Sequence, residues 1–134
     1  MTAALPIDPE AIDPEDRGER RAVLEMGHDA AVDHVREALV DVGFGVATEF
    51  SPAELLNEKI DAGRAPYTII GACNPTVADD ALTETGGEMG GLFPCNVVIW
   101  EREDGTQEVF HVSIMKIARL VGLAPDTEAW QEIV

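Results

Sequence analysis

"YTIIGACNPTVADDAL", residues 67–82, decides how the chain folds. Its first half is a run of β-branched, aromatic and small apolar residues, apolar enough to lie inside a sheet. Asn74-Pro75 then opens a helix. Asn74 stands at the cap, and Pro75 stands at the first helical position, where a missing N–H is no loss. Val77, Ala78, Ala81 and Leu82 give that helix an inner face.

The same strand-then-helix unit recurs upstream. "FGVATEF" (44–50) alternates loosely, as a strand does, and "SPAE" (51–54) starts a helix. Ser51 caps it, Pro52 takes the first position and Glu54 closes a capping box. Leu55, Leu56 and Ile60 supply the buried face, and Gly63 is the expected stop. Further back, residues 21–26 read as a strand and Asp29 as a helix cap. Val32, Val35, Leu39 and Val42 then mark one face of a helix ended by Gly43.

Downstream, Gly86, Gly87, Gly90 and Gly91 read as a flexible connector. "NVVIW" (96–100) is the clearest strand, and "EDGT" (103–106) is a hairpin turn with Asp-Gly at its centre. "QEVFHVSI" (107–114) returns as its partner. Residues 114–121 are expected to form a helix ended by Gly122, and 125–134 a short final one. The hairpin makes the last strands antiparallel. The expected architecture is therefore α+β: a two-layer sandwich with helices packed on one face of a mixed sheet of about five strands. The 134 residues make one domain over 20–134. Residues 1–19, acidic and carrying Pro6, Pro9 and Pro14, are expected to be a poorly ordered tail.

"VREALVDVGFGVATEF", "YTIIGACNPTVADDAL" and "GGLFPCNVVIWE" together resemble the domain of unknown function 302 family. The resemblance runs from about residue 20 to residue 121, and "GACNP" followed by "PCNVV" is its most specific part. It implies a compact α/β sandwich and no settled activity, so no catalytic residue is carried over. Members of that family often have Asp-Pro before the helix that follows the hairpin; this chain has Val112-Ser113-Ile114-Met115 there.

Charge narrows the partners. Asp and Glu number 26 against 9 Lys and Arg, a formal charge of -17, and the only lysines are Lys59 and Lys116. Nucleic acid and anionic membranes need a basic patch, and the arginines are scattered. A surface so acidic, around an interior still 46% apolar, fits a protein adapted to high salt. The first 20 residues lack the basic start and apolar run of a signal peptide, and no stretch nears the roughly 20 apolar residues of a membrane span. The expectation is a cytoplasmic protein with reduced thiols.

The only two cysteines each precede an asparagine, Cys73-Asn74 and Cys95-Asn96. If residues 67–73 and 96–100 are neighbouring strands, the four side chains can share a pocket. The leading expectation is a binding site for a small molecule or a soft metal ion such as Cu(I) or Zn(II). Candidate metal ligands are Cys73, Cys95 and His111; His28 and His34 are six apart and do not share a helix face. A rival is a thiol-dependent enzyme or redox protein using Cys73, which precedes a helix N-terminus. A third is a structural homodimer. The bland reading of each element is packing: cysteines as small hydrophobes, Asn74 as cap, His111 on the surface. "GGEMGG" lacks the Gly-Lys-Ser/Thr of a phosphate loop, and no Gly-x-Ser-x-Gly is present. Among the carboxylates Glu49 is the one to inspect, although a solvent-facing position is the favoured reading. No motif specifies a cofactor.

Overall fold

The computed structural model describes residues 19–114, 117, 118 and 123. The elements run β1 (Glu19–Leu24), α1 (His28–Asp41), β2 (Gly45–Phe50), α2 (Pro52–Ile60), β3 (Tyr67–Cys73), α3 (Pro75–Glu84), a 3-10 helix (Glu88–Leu92), β4 (Cys95–Glu101) and β5 (Gln107–Val112). The tail 1–18 and the final helix expected at 125–134 lie outside the described residues. Of the helix expected at 114–121, only Ile114, Ile117 and Ala118 are described, and all three are helical. No helix among the described residues is long and apolar enough to cross a membrane.

The five strands form one sheet in the order β1-β5-β4-β3-β2. The α+β sandwich is as expected, but the sheet is not mixed: every neighbouring pair is antiparallel. The cause lies in the turns that close α2 and α3. After α2, Asp61 (φ 52) and Gly63 (φ 66) turn the chain back. After α3, Gly86 (φ 61) and Gly87 (φ 94) do the same, and the 3-10 helix leads into β4. Each excursion thus returns to the end of the sheet it left, and the next strand must run the other way. The glycine-rich segment is accordingly a shaped turn, anchored by the fully buried Met89, rather than a slack connector.

Helix α1 joins the two edge strands. Its 14 residues span roughly 21 Å, close to the roughly 19 Å width of five paired strands. Ala31, Val32 and Val35 on α1 pack on Ile70 of β3 and Ile99 of β4, with Leu39, Val97 and Val109 around them. Its cap is Gly27, not Asp29: the Gly27 carbonyl accepts from Ala31 N–H at 3.0 Å. The earlier start makes His28 the first helical residue and sets its half-buried ring against the buried Thr68 and Gln107. There Nδ1 lies 2.7 Å from Gln107 Oε1 and Nε2 lies 2.8 Å from Thr68 Oγ1. Asp29 falls in the first turn, where a carboxylate suits the helix dipole.

The other caps match the sequence. Ser51 Oγ accepts from Glu54 N–H at 3.1 Å, and Asn74 Oδ1 accepts from Val77 N–H at 3.3 Å. Ser51 Oγ also donates to the Tyr67 carbonyl at 2.7 Å, tying α2 to β3. Helix α2 ends at Ile60, before the expected Gly63, because Asp61 already adopts the left-handed conformation. The β4–β5 hairpin closes on five residues, with Gly105 at φ 84. The sheet face opposite α1 carries an aromatic row. Tyr67 and Trp100 stack at 5.7 Å, Phe110 tilts against Trp100 at 6.3 Å, and the Arg21 guanidinium sits 4.4 Å from the Phe110 ring centre.

Candidate functional site

The sheet register decides whether the two Cys-Asn pairs meet. Strands β3 and β4 are neighbours, with Ala72 opposite Cys95 and Gly71 opposite Asn96. Cys73 therefore ends one strand beside the residue that begins the other. At this end of the sheet β2 also starts, Gly45 facing Cys73, and β5 finishes. Four strand ends and the first turns of α3 enclose a hollow of about 550 Å³. That lies within the roughly 300–1,000 Å³ typical of small-molecule sites.

Its walls are mostly hydrocarbon. Phe44, Ala47, Val77, Ala78, Ala81, Phe93, Pro94 and Ile114 supply the apolar surface. Polar atoms come from Thr48, Cys73, Asn74, Cys95, His111 and Ser113. No Asp, Glu, Lys or Arg among the described residues lines it. The lining depends on two backbone irregularities. The β2–β3 register shifts between Val46 and Thr48, so consecutive residues Ala47 and Thr48 both reach the hollow. Gly71 lets the Pro94 ring lie against the sheet: a Cβ there would come within 2.6 Å of Pro94 Cγ and would collide with Thr48 Oγ1. The Phe93-Pro94 peptide is cis.

The structure brings Cys73, Asn74 and Cys95 together and leaves Asn96 out. The Asn96 side chain is exposed on the face opposite Cys95, as strand alternation requires. Its carbonyl still matters, because it lies 3.2 Å from His111 Nδ1. A carbonyl only accepts, so Nδ1 carries a proton, and in the uncharged form of such a ring Nε2 is the acceptor. His111 is half-buried and lines the hollow. It pairs across from Val97, two residues beyond Cys95, and so shares the Cys95 side of the sheet. Alternation in "VFHVS" made that placement readable, but the register that brings β5 beside β4 was needed to use it.

Both thiols are free and partly buried. Burial pushes the Cys95 thiol above its ordinary value, and nearby Cys73 adds to the rise. Cys95 is thus held as the neutral thiol at neutral pH. Among the described residues no three His, Cys, Asp or Glu side chains gather closely enough to hold a metal ion. Glu49 belongs to a different feature. It is exposed, and both of its oxygens accept from Arg36, at 2.6 and 2.5 Å. These bonds draw its carboxyl below the usual range, against the opposing effect of desolvation. Asp33 completes the surface cluster with Arg36.

The wall residues Phe44, Phe93, Pro94, Ser113 and Ile114 carried no signal as a set in the sequence, since they come from three separated segments.

Comparison with known proteins agrees with the fold. The sequence model described as domain of unknown function DUF302 matches residues 20–133. The crystal structure of an uncharacterized conserved protein DUF302 from Bacillus stearothermophilus is similar, with 26% sequence identity and a TM-score of 0.73. The match covers 87% of this chain and 86% of that one. None of the curated proteins matches the chain.

Proposed function

The chain belongs to the DUF302 family, and from that premise we propose that it binds a small, mainly apolar molecule in the hollow between Cys73, Asn74, Cys95 and α3. One observation carries this reading: a hollow of about 550 Å³, apolar in its walls, holds a few convergent polar groups at the strand ends. The neutral state of Cys95 favours binding over thiol chemistry at that position, because the thiolate is the nucleophile and the metal ligand. The lack of a third ligand beside the cysteines, among the described residues, favours a small molecule over zinc, whose structural sites take four ligands.

A ligand of about 20 heavy atoms, at roughly 0.3 kcal/mol per atom, would be held with a Kd of tens of micromolar. Nile red, a neutral apolar dye, is the probe. Its emission is expected to rise and shift to the blue on titration with the protein. Ala78→Phe, which places a ring inside the hollow, is expected to weaken the dye at least tenfold while leaving the circular dichroism spectrum unchanged. Dye binding that ignores Ala78→Phe would remove the hollow as the site. Copper or zinc retained at one equivalent in native protein, and lost on Cys73→Ser, would replace the small molecule with a metal ion.

A further inference from the structure

We infer, resting on the binding reading of the hollow, that it selects a neutral hydrocarbon-like molecule bearing a hydroxyl group, with His111 Nε2 accepting a hydrogen bond from that hydroxyl. Two observations lead here. The first is the ring orientation: His111 Nδ1 is committed to the Asn96 carbonyl at 3.2 Å, and no described residue bonds to Nε2. A neutral imidazole held this way offers the hollow an acceptor and no donor. Such an acceptor, with no described partner, suits a ligand that can donate to it, as a hydroxyl does.

The second observation is charge. No ionised side chain among the described residues lines the hollow, and the chain as a whole carries -17. A carboxylate would enter an apolar space with no cation to meet it, inside a repelling field. A ketone or ether would leave Nε2 facing an acceptor, and a site built around a hydrogen bond rejects analogues that cannot make it.

The test uses naphthol, its methyl ether and naphthoate against the full chain at mildly alkaline pH, where imidazoles are neutral. Naphthol is expected to bind at least tenfold tighter than the ether, and naphthoate weakest of the three. In His111→Phe the preference for naphthol over the ether is expected to vanish. Nitrogen NMR supplies a readout independent of that variant's folding: the unprotonated His111 Nε2 resonance should move with naphthol and stay with the ether. Equal affinity for naphthol and its ether would overturn the hydroxyl assignment and leave the hollow as a binding site. So would a preference for naphthoate. Failure of all three and of Nile red would overturn the binding reading itself.

Discussion

At the scale of single residues, Gly71 and Cys95 define the site from opposite directions. Gly71 is needed for what it lacks. Its open side holds the Pro94 ring and the Thr48 hydroxyl, and the proline cannot rotate away as a flexible side chain would. Gly71→Ala is expected to cost about 1–3 kcal/mol by overpacking, and to weaken Nile red because Pro94 must move. A chemical denaturation midpoint unchanged from the native protein would contradict this. Cys95 is defined by its surroundings. Its folded thiol titrates above the unfolded one, so the folded state holds the proton more tightly. The associated stability is complete below the unfolded thiol value of about 8.5 and is lost as pH rises from there through the folded value. Cys95→Ala is therefore expected to flatten the decline of the unfolding midpoint above about pH 8.5. The two cysteines could be picked out from the sequence, whereas Gly71 could not, because its importance depends on a proline 23 positions away that the sheet register places over it.

At the scale of elements, the caps were legible because their chemistry is local. "SPAE" and "NPTV" each state a cap and a first turn within four residues, and the structure uses both as written. Asp29 misled because His28 has a stronger tie elsewhere: its ring bonds to Thr68 and Gln107, which lie 40 and 79 positions on. No local pattern encodes such a contact. The two legible caps are not equal. Ser51 loses two hydrogen bonds on truncation, one within α2 and one to the Tyr67 carbonyl, whereas Asn74 loses a single longer one. Ser51→Ala is expected to cost about 1–2 kcal/mol and Asn74→Ala about 0.5–1 kcal/mol. The reverse order in urea unfolding would show that the α2–β3 tie contributes little.

At the scale of the whole molecule, strand order was the part the sequence left open. The number of strands follows from five apolar segments, but parallel and antiparallel neighbours differ only in where each helix sends the chain afterwards. Asp61, Gly63, Gly86 and Gly87 make that choice through positive φ, and only the glycines among them advertise it. Net charge, by contrast, is read directly. At -17 the folded chain repels itself, and salt shortens the reach of that repulsion to about 3 Å at 1 M. The thermal midpoint is expected to climb with KCl from low concentration to molar. A flat response would mean that local pairs such as Arg36 with Glu49 and Asp33, or Arg21 with Glu108, already balance the surface.

The aromatic row has a practical consequence for anyone who follows these titrations by light. Trp100 lies five residues along β4 from Cys95, roughly 17 Å at strand spacing, and its indole stacks on Tyr67 across the sheet from α1. An occupant of the hollow leaves that stack undisturbed, so in a Trp130→Phe background the intrinsic emission should stay silent as ligand is added. The same signal changes when β3 and β4 part, which makes this indole a gauge of collapse and melting alone.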